Sequence, residues 1–214
     1  MARITAELRR RKHDINHKKV LRMMRDMNLQ ALYPQPKTTL HNPDHKIYPY
    51  LLRDLEIIRP NQAWATDITY IRMPHGFMYL VAIIDLFSRY ITGWNFSNTL
   101  SADFCKEMLQ EAFLKAHPEI LNTDQGCQFT SAGWIDLVTS NRVKVSMDGK
   151  GRWADNIYIE RFWRTLKHEH VLIHAFETVK AAKTSIGAFI DIYNNKRLHQ
   201  SLGYRTPAEM YKTF

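Results

Sequence analysis

Apolar spacing divides the chain into a helical start, a proline-rich stretch and a remainder that is rich first in strands and then in helices. In residues 2–12, Ile4 and Leu8 stand four apart among basic residues, the spacing of a charged helix. Residues 13–16 read as a turn, with Asn16 placed to cap the next helix. Val20, Leu21, Met24 and Met27 then share one face of a helix starting at His17. Asn28 suits a left-handed cap at its end, with Leu29 and Leu32 packing back. Pro34, Pro36, Pro43, Pro49 and Pro60 argue for an extended linker up to residue 62.

From Trp64 the pattern changes. Residues 63–71 and 77–85 read as apolar strands and 89–96 as a third, and their short links make an antiparallel meander. Residues 101–116 form a helix: Phe104, Met108, Leu109, Ala112 and Phe113 recur on one face, Ser101 suits the N-cap, and Pro118 lies beyond the end. A short strand follows at 119–123. Next come a helix at 130–140, with Trp134, Leu137 and Val138 inward, and a fifth strand at 143–146. A glycine-containing loop spans 147–153, and helices are expected over 154–170 and 178–193. The order β-β-β-α-β-α-β-α matches the ribonuclease H-like α/β fold: a mixed five-stranded sheet flanked by helices, here behind a small N-terminal helical module. Three regions are therefore expected: a basic, partly helix-turn-helix-like module at 1–33, a linker at 34–62 and a core with C-terminal helices at 63–214.

Charge sharpens this division. The 214 residues carry a formal net charge of +9. Residues 1–60 hold 13 Lys and Arg against 6 Asp and Glu, whereas residues 61–214 hold 17 against 15. The first quarter thus reads as a phosphate-contacting arm, with Lys18, Lys19 and Arg22 on its second helix as candidate contacts to double-stranded DNA. Cys105 and Cys127 have no CxxC partner, which argues against a zinc knuckle or a disulfide framework and fits a reducing cytoplasm. No signal peptide stands out. The longest apolar runs, such as 79–84, are far too short to span a bilayer, so no membrane partner is expected.

Three acids carry the candidate chemistry. Asp67 lies within the first strand, Asp124 at the end of the fourth, and Glu160 on the long helix. Phosphodiesters resist attack because their negative charge repels the nucleophile and the leaving oxygen is poor. Two divalent ions about 3.5–4 Å apart relieve both problems. Mg²⁺ suits such a site because it takes a few carboxylates and keeps several waters; Mn²⁺ is a possible substitute. Asp67 is placed to bridge both ions, Asp124 to hold one and Glu160 the other. On the helix, Ile159, Phe162, Trp163 and Leu166 form the packing stripe, while Asn156, Glu160, Arg164 and Lys167 share a neighbouring face that presents cations to a DNA backbone. Taken singly, each acid has an ordinary structural reading: a strand-end Asp, a turn Asp before Gln125-Gly126, a surface Glu paired to Arg164. Jointly their placements favour the metal site. Asp85 competes as another strand-end acid, but Leu86-Phe87-Ser88-Arg89 after it marks a hairpin turn. Asp148 and Asp155 lie on the preceding loop and could assist.

Longer stretches are also distinctive. Residues 79–89 (YLVAIIDLFSR), 123–131 (TDQGCQFTS), 193–204 (YNNKRLHQSLGY) and 204–209 (YRTPAE) resemble the retroviral-type integrase core, most closely the second-reading-frame transposases of the insertion-sequence-three family. Residues 3–33 resemble the helical module carried ahead of that core. The resemblance covers nearly all of 60–212. It implies an aspartate-aspartate-glutamate (DDE) recombinase with Asp67, Asp124 and Glu160 as catalytic acids. It also places Lys167, seven residues after the glutamate, near transposon-end DNA, and matches the pair Asp155-Asn156 to one before the family's glutamate helix. The partners it implies are transposon-end and target DNA, further copies of the chain on that DNA, and a first-reading-frame protein supplying the main helix-turn-helix. Family members are usually longer at the N-terminus, so the chain is expected to begin inside the helical module. Two alternatives stay open: a truncated, non-catalytic DNA-binding regulator of transposition, and a ribonuclease H-type hydrolase.

Overall fold

The computed structural model describes residues 2–27, 46–74, 76–149 and 156–213. The chain separates into two compact units, residues 1–43 and 44–214. In the first, α1 (Ala2–Arg10) and α2 (His17–Asp26) follow the apolar spacing. Thr5, Val20 and Met24 are buried, and Lys18, Lys19 and Arg22 are exposed. Asn16 caps α2 as expected, its Oδ1 accepting the Lys19 amide at 2.9 Å. The expected cap at Asn28, the packing of Leu29 and Leu32, and the linker up to residue 45 lie outside the described residues.

The second unit is built on one five-stranded sheet in the order β3-β2-β1-β4-β5. Its strands are β1 (Ala63–Met73), β2 (Gly76–Asp85), β3 (Ile91–Ser97), β4 (Ile120–Thr123) and β5 (Lys144–Met147). The first three form the antiparallel meander; β4 and β5 join parallel to β1. The mixed sheet follows from the connections: short turns join β1 to β3, and α3 (Ala102–Phe113) and α4 (Ala132–Ser140) carry the chain between parallel strands. Ser101 occupies the N-cap of α3, but its side chain makes no cap hydrogen bond.

Strand alternation sorts the core into two layers. Trp64, Val81 and Ile83 face α3 and α4, where they meet Phe104, Met108, Trp134 and Val138. Ala63, Ala65, Ala82 and Ile84 face the other way, onto α5 (Ile157–Leu166) and α6 (Val179–Asn195). The expected single helix over 154–170 is shorter. Its α-helical part ends at Leu166 and a π-helical turn spans Lys167–Val171, with the Leu172 amide reaching the Lys167 carbonyl at 2.9 Å. A short helix α7 (Pro207–Tyr211) closes the chain behind a Thr206–Glu209 capping box that also signals it in the sequence. Residues 46–62 lie along this core. The Leu51 amide donates to Ser146 Oγ at 3.0 Å, and Leu51, Leu52 and Ile57 pack on the α5–α6 layer.

Asp85 is fully buried at the end of β2 and closes the turn into β3. One of its oxygens accepts the Ser88 amide and hydroxyl at 2.8 and 2.6 Å, and the other accepts the Asn61 amide at 2.8 Å. These roles are structural, as the turn signal implied. Among the described residues no helix is long and apolar enough to cross a membrane.

Candidate active site

Parallel pairing of β1 and β4 brings the two aspartates level. The last recorded pair is Ala65 with Asn122, and Asp67 and Asp124 each lie two residues further along. Two residues is one strand period, so Asp67, within β1, points to the side of Ala65, towards α5, while Asp124 directly follows the last residue of β4. There the Trp163 indole donates Nε1–H to Asp67 Oδ2 at 2.9 Å. Apolar spacing identified Trp163 only as packing; it packs and also holds the central carboxylate.

Asp67 is an acid under electrostatic load. Burial raises its pKa from 3.8 to about 6, opposed by the Trp163 bond and the Ile68 amide and reinforced by the negative charges of Asp124 and Glu160. Both other acids therefore act on Asp67. Partial desolvation also raises Asp124, an exposed residue whose Oδ1 accepts the Gly126 amide at 2.9 Å. That tight turn explains Gly126: a Cβ there would lie 2.9 Å from the same Oδ1. A buried chain of hydrogen bonds fixes the end of β4. Ser146 Oγ donates to Asn122 Oδ1 at 2.8 Å, and Asn122 Nδ2 donates to Asp148 Oδ1 at 2.6 Å. The loop acid Asp148 thus supports the β4 end. Asp155 lies outside the described residues.

Glu160 is exposed on α5 and forms no ion pair with Arg164 among the described residues. Arg164 is exposed and Lys167 half-buried. Asn156, expected on their face, is buried instead, because α5 starts only at Ile157 and helical spacing does not reach back to it. The donor set suits a hard cation, since it is all carboxylate oxygen on a strand, a strand end and a helix, with the other two acids disfavouring the charge of Asp67 that a cation would relieve. The grip is open: among the described residues no three His, Cys, Asp or Glu side chains already stand close enough to share an ion.

A five-stranded mixed sheet in this order, with helices packed on both faces, is the architecture of an integrase-type polynucleotidyl transferase core. Models described as "Integrase core domain" match residues 58–152 and 141–207, and one described as "HTH-like domain" matches residues 2–37. The putative transposase InsK for insertion sequence element IS150 of Escherichia coli is 31% identical over 212 residues, covering 97% of this chain and 75% of that protein. Among solved structures, a chain of the simian T-cell lymphotropic virus intasome aligns with a TM-score of 0.64 at 18% identity, covering 81% of this chain and 61% of that one. The HTLV-2 integrase catalytic core domain in complex with magnesium aligns with a TM-score of 0.58 at 20% identity, covering 72% and 98%. The chain belongs to the insertion-sequence transposases of the DDE type, with an integrase core and an HTH-like module ahead of it.

Proposed function

We propose that Asp67, Asp124 and Glu160 are the catalytic acids and that they hold two Mg²⁺ ions, with Mn²⁺ as a substitute. The observation that carries this is the placement of half-buried Asp67 on β1, its Oδ2 held by Trp163 of α5, beside the end of β4 where Asp124 follows, with the charges of Asp124 and Glu160 both raising its pKa. The magnesium complex of the HTLV-2 integrase core supports the choice of ion. When bound, the ions would activate an attacking oxygen and stabilise the departing one. Asp67, with Oδ2 held by Trp163, offers Oδ1 from a fixed strand position. Asp124 offers its carboxylate from a turn locked by Gly126. Glu160 completes the set by swinging its exposed side chain inward from α5.

In this reading, water attacks a phosphodiester at the element's end and leaves a 3′-OH, which attacks a target phosphodiester and joins the strands. No covalent bond to the protein is needed, so catalysis is positioning and electrostatics. Arg164, Lys167 and Asn156 are the candidate DNA contacts near the acids. Exposed Arg164 and half-buried Lys167 suit that role, while buried Asn156 suits a supporting one. Lys18, Lys19 and Arg22 would meet DNA phosphates from the helical module. The working assembly is several copies on bacterial DNA in the cytoplasm, with the element's first-reading-frame protein as a possible further partner.

The test is cleavage of supercoiled DNA carrying the element's ends. Wild type should cut with Mg²⁺ and not in EDTA, and Asp67→Asn and Glu160→Gln should bind but not cut. Cutting by Asp67→Asn would refute the site. Tight binding without cutting by wild type would favour a regulator, and cutting confined to RNA–DNA hybrid would favour a ribonuclease.

A further inference from the structure

The second exposed flank of α5 faces a cavity of about 600 Å³ that the three acids do not line. Its wall includes Arg89, Arg161, Arg164 and Arg197, with His168 and His199, against a single carboxylate, Glu169. That carboxylate is already engaged, because Arg197 forks onto it through both terminal nitrogens. The π-helical turn after Leu166 carries Glu169 to where it can meet Arg197, 28 residues away.

The cavity is preorganised. Arg89 holds a left-handed φ of 67°, a conformation costly for a non-glycine residue, and lays its guanidinium on the Tyr158 ring at 3.4 Å from the centroid. His199 Nε2 is buried without a hydrogen-bond partner among the described residues. Arg161 and Arg164 are exposed and take part in no ion pair among the described residues. Electrostatically the cavity is short of negative charge. After burial, Arg197 and Arg89 both push the His199 pKa down; Arg89 is itself lowered first by burial, with Tyr158, Tyr193 and Asp85 opposing and Arg161 adding to the drop. The RLHQS run of residues 197–201 forms one wall, so this part of the C-terminal motif builds the cavity.

We propose that this cavity is an anchoring site for a backbone phosphate of DNA, separate from the metal-binding acids and built by Arg161, Arg164, Arg89 and His199. Arginine matches phosphate geometry through paired N–H donors, and four guanidiniums around one engaged carboxylate leave a net positive cup. Because Arg164 and Glu160 share the exposed side of α5, a strand anchored here runs on towards the acids. The proposal rests on the reading of the chain as a DNA strand-transfer enzyme.

The test is the salt dependence of binding of the full chain to duplex DNA carrying the element's end, beside cleavage of the same DNA. Each lost phosphate contact lowers the slope of log K against log salt by about 0.9 for duplex DNA. Arg161→Ala should weaken binding across unrelated sequences and lower the slope by about that amount, with Arg161→Lys restoring the slope. Glu160→Gln, which removes a negative charge outside the cavity, should not lower it. An unchanged slope in both Arg161→Ala and Arg164→Ala would overturn the anchoring site. Failure of wild type to cut, with the slope loss intact, would refute the catalytic reading alone and leave the site standing.

Discussion

Replacing Asp67 by Asn should stabilise the metal-free protein while removing its activity. Burial and two like charges raise the folded-state pKa from 3.8 to about 6, and each unit corresponds to about 1.36 kcal/mol, so ionised Asp67 opposes folding by up to ~3 kcal/mol near neutral pH. Asn keeps an acceptor for the Trp163 indole, though a weaker one, so a net gain of about 1–3 kcal/mol is expected. The sign with pH is fixed. For an acid raised by folding, the penalty is absent below the unfolded pKa of 3.8, grows between there and about 6, and stays constant above. Urea denaturation in EDTA should therefore show Asp67→Asn more stable than wild type at pH 7.5, and the gap should close near pH 4. Mg²⁺ should narrow the gap at pH 7.5 by stabilising only wild type. A variant no more stable than wild type in EDTA at pH 7.5 would refute the claim that burial and the neighbouring charges disfavour ionised Asp67 in the metal-free protein.

Other substitutions probe the supports. Trp163→Phe keeps the packing but removes the only side-chain donor to Asp67 among the described residues, and cleavage should fall roughly 10–100-fold, as for other residues that orient metal ligands; an unchanged rate in single-turnover cleavage would deny Trp163 that role. Gly126→Ala places a methyl 2.9 Å from Asp124 Oδ1 and should cut activity while leaving the thermal midpoint nearly unchanged; full activity would show that the Asp124 turn is not needed in that form. Asp85→Asn replaces one of two accepting oxygens by a donor facing an N–H or O–H. It should cost about 1–3 kcal/mol in urea denaturation, and the folded variant should still cut, whereas loss of cutting without loss of stability would make Asp85 part of the site.

The sheet was readable because β1 and β2 combine long apolar runs with short links, and the burial of Trp64, Val81 and Ile83 follows their alternation. Asp67 within a strand and Asp124 just past one were legible as candidates, and parallel pairing of β1 with β4 puts them on neighbouring strands. Helical spacing served less well at the ends of α5. It counted Asn156 as exposed, although the helix starts one residue later, and it ran through Leu166, where the backbone widens into a π turn. Spacing also cannot separate a tryptophan that only packs from Trp163, whose indole reaches 96 residues back in sequence to Asp67. The arginine cavity was hidden for a related reason. Arg89, Arg161 and Arg197 lie on three separate elements, and only the packing of α6 and the segment after it against α5 brings them together.

The central claim is that Asp67, Asp124 and Glu160 form one divalent-metal site. Anomalous scattering from a crystal of the wild-type protein grown with Mn²⁺ tests it most directly. The account predicts Mn²⁺ density bonded to the Asp67 and Asp124 carboxylates, with Glu160 turned inward to complete the site. Mn²⁺ bound elsewhere, with Asp67 left free of metal, would contradict it.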